Sequence, residues 1–192
     1  GPWLLLVGLL GMGSYNALQY LALHTSTPVN VTLIAASMPA WMLGIGALFY
    51  RERPSRAALS GAALSMAGVL MVISRGDPAV LAQLHFVPGD LLMLLAAMTW
   101  GFYSWQLARP PAAFTGEHRP AWNWAGMLQA QMAFGILGSA VGSGIEMAVS
   151  DAAWVWSWQV AAIIAFVAIG PSLIAYRCWG LGVATVGPAM AA

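Results

Sequence analysis

The sequence predicts an all-α integral membrane protein, a multi-helix bundle that crosses the bilayer repeatedly. Three observations predict it. Charged residues are 7% of the 192, hydrophobic residues are 60%, and the mean hydropathy is +0.77. An ordinary soluble domain carries about 25% charged residues, and a water-facing surface cannot be covered with fewer than a third of that; a bilayer demands no such cover. Six stretches also reach the roughly 20 mostly apolar residues that a spanning helix needs. Finally, a polar-flecked stretch near the start returns near the end.

The apolar stretches are 2–23, 29–50, 57–74, 90–108, 124–146 and 158–181, and a further one begins near 183. Lipid offers backbone groups no partner, so each must satisfy its own N–H and C=O groups as a helix. No Asp, Glu, Lys or Arg precedes Arg51, so the first two spans are free of those charges. The second closes on Arg51-Glu52-Arg53 and then Pro54, which stops the helix. The third carries Ala57, Gly61, Ser65 and Gly68 at helical spacing, and the fifth carries Gly138 and Gly142 as GxxxG. Both patterns predict close helix approach. Gly11-Met12-Gly13 lies within an apolar helix with no strand before it, so it is no dinucleotide fingerprint. Pro39 and Pro171 are expected to kink their helices.

The loops set the orientation. Arg51, Arg53 and Arg56 follow the second span, and Arg109 and Arg119 follow the fourth. These loops share one side. The other side holds Arg75, with Asp77, Asp90 and Asp151. An excess of Arg marks the cytoplasmic face, so residues 51–56 and 109–121 are expected inside and 75–89 outside. Trp122 and Trp124 at the inner face, and Trp154, Trp156 and Trp158 at the outer, are placed as headgroup anchors.

Several function classes are excluded. No basic patch exists for nucleic acid. Cys178 is the sole cysteine, so no intrachain disulfide forms. Glu117 and His118 are adjacent, which is not a metal-ligand spacing, and no nucleophile stands with a base and an orienting group. No cofactor is called for. The chain starts at Gly1 and stops inside an apolar run, and it reads as a fragment of a longer protein.

Polar and aromatic residues inside the spans are the candidates for a site, because lipid cannot solvate them. Asn16, Gln19 and Tyr20 share a face of the first helix. Asn30, Ser37 and Trp41 do so on the second, and Thr99, Trp100, Tyr103 and Gln106 lie on the fourth. Ser172 and Tyr176 lie on the sixth, while Gln129 and Gln131 of the fifth point apart. The competing role is hydrogen bonding that only glues the bundle. Arg177 is the one basic residue within a span; it either snorkels to the nearby cytoplasmic surface or faces a solute carboxylate. The candidate site is Asn16, Gln19, Trp100, Tyr103, Tyr176 and Arg177, around a central cavity.

Setting "SYNALQYLALHTST" (14–27) against "SLIAYRCWGLGVAT" (172–185) aligns Ser14 with Ser172, Ala17 with Ala175 and Leu23 with Leu181. The loop charges make the two copies run in opposite directions. Inverted repeats with a substrate site between the halves are how many secondary transporters are built.

Met38-Pro39 with the terminal "YRERPS", then "SGAALSMAGVLMV", "GDLLMLLAAMTWGFYSWQLAR" and "IGPSLIAYRCWGLGVATVGPAMAA", resemble in order and spacing the EamA-type family of the drug/metabolite transporter superfamily. The resemblance implies ten helices in two inverted five-helix repeats. The six spans and the start of a seventh would then be helices three to nine. Residues 1–74 would be the last three helices of the first repeat, 75–89 an outer connecting loop, and 90–192 the first part of the second repeat. The Pro-rich "RPPAAFTGEHRP" loop departs from the family pattern. The expected function is a secondary transporter, exporting a small metabolite such as an amino acid or related compound. The expected partners are that small molecule and the lipid bilayer, in a multi-pass inner-membrane protein; a homodimer is compatible with the sequence. The alternatives are an intramembrane lipid-modifying enzyme, which would need acids, His or Cys converging near an interface, and a non-transporting membrane scaffold.

Overall fold

The computed structural model describes residues 2–83, 85–118, 120–149 and 156–192. Arg119, Asp151 and Trp154, to which the sequence gives loop and anchor roles, lie outside the described residues. The described residues are all-helical, with no strand among them.

Helix α1, Pro2–Leu23, is long and apolar enough to span. Its middle, Gly8–Ser14, is wound as a π-helix with Gly8, Gly11 and Gly13 buried. The second expected span is two helices, α2 (Pro28–Ala35) and α3 (Met38–Phe49), meeting at a 40° bend. The bend falls at Ala36-Ser37, ahead of Pro39. Ser37 Oγ donates to Ile34 O at 2.6 Å and accepts Trp41 Nε1–H at 3.1 Å, tying the two sides of the break together. Pro39 sits in the first turn of α3, where its missing N–H costs nothing.

Helix α4, Arg56–Ser74, is capped by Ser55, whose Oγ accepts Ala58 N–H at 3.1 Å. It ends on Arg75, left-handed at φ 52°. The expected packing stripe on α4 is not used: a Cβ at Gly61 or Gly68 would meet nothing within 4 Å, because no described helix lies against that face. After a short turn of helix, α5 (Pro78–Ala82), the central helix α6 runs Pro88–Ala108. Asp90, counted by the sequence among the charges of the outer side, is buried there. It is 1% exposed, at the third position of α6, and accepts Val87 N–H and Asn30 Nδ2–H, each at 2.9 Å, and Ser26 Oγ–H.

Helix α7 spans Trp124–Val149, about 39 Å at 1.5 Å per residue, longer than a bilayer core. Of its GxxxG pair, Gly138 packs near Leu9 and Gly142 meets nothing. Helix α8, Trp158–Val186, is continuous and 29 residues long. It passes Pro171 by winding Ala168–Ala175 as a π-helix, so the expected kink becomes a widened turn. It outruns the expected end at 181, and the next helix, α9 (Pro188–Ala191), starts at Pro188, not 183. Gly187 makes the junction at φ +81°, a conformation open to glycine and costly for other residues.

Contacts along α6 give the directions. Near the end of α6, Trp3 Nε1–H donates to Gln106 Oε1 at 3.2 Å, while Ala22 packs near Met93 at its start, so α1 runs antiparallel to α6. The bent pair runs parallel to it: Asn30 meets Asp90, and Trp105 Nε1–H donates to Met42 O at 2.8 Å. Helix α8 is parallel too, with Tyr176 beside Trp100 and Trp179 Nε1–H donating to Ser104 Oγ at 3.1 Å. Gly8 faces Gln131 and Gly135 faces Met12, which sets α7 parallel to α1. Residues 51–55 and 109–118 therefore lie at one end of the bundle, and 24–27, 75–83 and 85–87 at the other.

Candidate functional site

Five rings from three helices meet across the middle of the bundle. Trp100 is the hub, with ring centroids 4.7 Å from Tyr15, 5.1 Å from Tyr103, 5.5 Å from Tyr176 and 5.2 Å from Trp179. Tilted and edge-on pairs of this kind add about 0.5–1.5 kcal/mol each beyond their buried area. The hydroxyls are tied down. Tyr176 Oη–H donates to Gly11 O at 2.6 Å and accepts Asn16 Nδ2–H at 3.2 Å. Tyr103 Oη–H donates to Gln131 Oε1 at 3.3 Å. Gly11 allows the close approach of α6, because a Cβ there would lie 2.5 Å from Tyr103 Cδ2. The carbonyl that Tyr176 uses lies in the π-wound stretch of α1.

Below this layer lies a cavity of about 590 Å³ between α1, α6, α7 and α8. Tyr103, Gln131 and Tyr176 line its floor. Its walls include Trp3, Leu128 and Arg177, and Phe114, Thr115 and Gly116 of the long loop line its other end. Arg177 is half-buried and holds its guanidinium 4.6 Å from the Trp124 ring centroid. Trp124 thus contributes to the cavity wall in addition to sitting at a helix start, where the sequence assigned it only an anchoring role. Trp122, Trp156 and Trp158 are exposed at helix ends, as anchors would be.

The structure divides the six candidate residues. Tyr103, Tyr176 and Arg177 line the cavity. Asn16 and Trp100 sit behind the floor and hold it: Asn16 through the Tyr176 hydroxyl, Trp100 through ring contacts. Gln19 is half-buried one turn further along α1 and makes no hydrogen bond among the described residues. Tyr20, paired with it by spacing, is 60% exposed. Asn30 is glue, held by Asp90 and His85 O. Gln129 is exposed and Gln131 buried, so the two do point apart. Tyr15, Trp179, Trp3 and Gln131 are residues of the layer and cavity that the sequence reading did not select. Trp179 follows Tyr176 by three positions, a spacing that could have found it. Tyr15 follows the π-wound stretch, whose wider turns shift the inward face off a uniform helical count.

At the same end of the bundle, Arg109 pairs with Glu52 and Tyr50 stacks on Trp105 at 4.9 Å, joining the ends of α3 and α6. Both charges are about half exposed, so the pair contributes at most about 1 kcal/mol.

Comparison with known proteins fits this architecture. No solved structure matches the chain. The uncharacterized transporter YyaM of Bacillus subtilis (strain 168) is 25% identical over 99 residues, 52% of this chain and 32% of that protein. The chain thus spans about a third of the length of that relative. Residues 2–74 match the EamA-like transporter family. That match lies over the stretch from which two of the quoted motifs come, and with the apolar helices it supports a multi-pass membrane protein.

Proposed function

We propose that the chain is the substrate-handling part of a secondary transporter that exports a small metabolite, such as an amino acid or related compound. The observation that carries this reading is the cavity lined by Tyr103, Gln131 and Tyr176, of which the two tyrosines also belong to the five-ring layer. A solute entering from the loop end meets ring faces and hydrogen-bonding edges, which hold it without trapping it. The loop end carries Arg51, Arg53 and Arg109, so the positive-inside rule puts it in the cytoplasm of a cell, or inner, membrane. A cavity open to the cytoplasm is the state in which an exporter loads.

Opening to the other side then requires the ring layer to part. Helices α1 and α8 run in opposite directions and touch at Tyr176, which supports reading 14–27 and 172–185 as matching parts of inverted repeats. The two π-wound stretches, Gly8–Ser14 and Ala168–Ala175, run into the first residues of these segments and are natural places for α1 and α8 to flex.

The test is solute flux in proteoliposomes containing the full-length protein, with the solute chosen by a competition screen of amino acids, sugars and cationic compounds. Tyr103→Ala, at matched protein amount, is expected to lose most of the flux. Full flux with unchanged apparent affinity in that variant overturns the cavity assignment.

A further inference from the structure

We infer that the cavity takes an organic monoanion, a carboxylate on an apolar body, with Arg177 holding the carboxylate beside Trp124. The inference rests on the transporter reading and narrows its substrate class.

Arg177 belongs to a spanning helix and is half-buried. Among the described residues it makes no ion pair and no hydrogen bond; its one partner is the Trp124 ring face, 4.6 Å away. A ring face offsets only part of the cost of a cation held within a span. The guanidinium is therefore left with unmet donors, and it faces the cavity. Among the described residues no Asp or Glu lines that cavity, and Arg177 is the only charged one that does. Apolar walls focus its field into the space a solute would occupy.

The floor points the same way. Gln131 spends its carbonyl oxygen on the Tyr103 hydroxyl, and its amide NH₂ has no acceptor among the described residues. Gln131 is 4% exposed, so that group is offered to the cavity and to little else. The unspent side-chain groups on the described wall, the Arg177 guanidinium, the Gln131 NH₂ and the Trp124 indole N–H, are thus all donors. A solute that brings acceptors and negative charge satisfies them. An ammonium group would meet ring faces but no carboxylate, and a dianion would find one cation for two charges. The guanidinium fork matches a carboxylate at two points. Trp3, with its ring 4.6 Å from Phe114, and Leu128 offer apolar surface to the rest of the solute.

The same anionic chemistry could come from a soluble carboxylate or from an anionic lipid headgroup, and the test separates them. The full-length protein is placed in phosphatidylcholine nanodiscs, and equilibrium binding is measured for phenylpropionate, phenylalanine and phenylpropylamine, which share one ring body. Phenylpropionate is expected to bind tightest and the amine weakest. Arg177→Gln is expected to weaken phenylpropionate roughly tenfold to hundredfold and to leave the amine unchanged or tighter. Arg177→Lys keeps the charge without the fork and should fall between. The class is overturned if the amine binds as well as the carboxylate, if Arg177→Gln leaves carboxylate affinity unchanged, or if the carboxylate shows no saturable binding. Loss of carboxylate binding on adding phosphatidylglycerol gives the site to a lipid headgroup and overturns the soluble substrate. Tyr103→Ala should weaken all three probes alike. If it does so while the amine binds best, the cavity survives and the charge class falls; if it also transports normally, the cavity reading falls too.

Discussion

Tyr103 carries two duties that substitution can separate. It is 2% exposed, its ring contacts Trp100 and Tyr176, and its hydroxyl is spent on Gln131. Tyr103→Phe keeps the ring and removes the hydrogen bond. We expect it to cost about 1 kcal/mol of stability and to leave flux largely intact. Tyr103→Ala removes the ring and should cost about 3–5 kcal/mol, with flux lost. Thermal unfolding in detergent beside proteoliposome flux reads both; a Phe variant as damaged as the Ala variant would show that the hydroxyl, not the ring, matters. Gly11 gives an independent check. Its Cα leaves room for Tyr103, and a side chain there collides with the ring. Gly11→Val should therefore reproduce the Tyr103→Ala loss of flux without touching the floor chemically, and normal flux would refute the close packing. Three of the candidate residues, Tyr103, Tyr176 and Arg177, line the cavity, and such groups stand out in apolar helices. Tyr15 and Trp3 were not legible, because the sequence gives no sign of where α1 changes its winding or where the loop after α6 folds back.

The helices themselves were largely legible, since apolar length alone dictates them in lipid, but the polar ties at their joints were not. The bend at Ala36-Ser37 falls where Pro39 is expected to put one, since a proline leaves the carbonyl four residues earlier without its N–H partner; the bonds Ser37 makes there were not visible, because a polar residue in a span is also what glue or a site would look like. Asp90 is the clearer case. Counted as a loop charge, it is instead the knot joining the α1–α2 turn, α2 and the start of α6 through Ser26, Asn30 and Val87 N–H. Replacing Asp90 by Ala would take the acceptor from two buried side chains, Ser26 and Asn30, and from the half-buried Val87 N–H. At about 1–3 kcal/mol for each orphaned group, we expect a loss of roughly 3 kcal/mol or more, seen as a lower thermal midpoint in detergent. Asp90→Asn keeps an acceptor oxygen and should cost less. A wild-type midpoint in Asp90→Ala would mean that the knot does not hold this end together.

The whole bundle places its charges in a way that makes its orientation testable. Residues 51–55 and the loop after α6 lie together, tied by Arg109 and Glu52, and the loop carrying Asp77 lies at the far end with His85, whose carbonyl accepts Asn30. The grouping of the loops is thus a property of the fold, whereas which group faces the cytoplasm rests on the Arg count. Arg51, Arg53, Arg56 and Arg109 stand at one end against Arg75 at the other, and such an excess of Arg predicts the cytoplasmic side. Ser55 and Ala79 are exposed reporters at opposite ends. Cys178 is exposed and must first be replaced, for which Cys178→Ser suffices. Single cysteines are then introduced as Ser55→Cys and Ala79→Cys and probed on intact cells with an impermeant thiol reagent. Labelling at 79 from outside, and at 55 only after the membrane is opened, is the expected result. It would place the mouth of the cavity in the cytoplasm, where an exporter collects its solute. Labelling at 55 but not 79 reverses the orientation, puts the cavity mouth outside, and turns the proposed direction of transport from export to uptake; labelling of both on intact cells contradicts a single fixed topology.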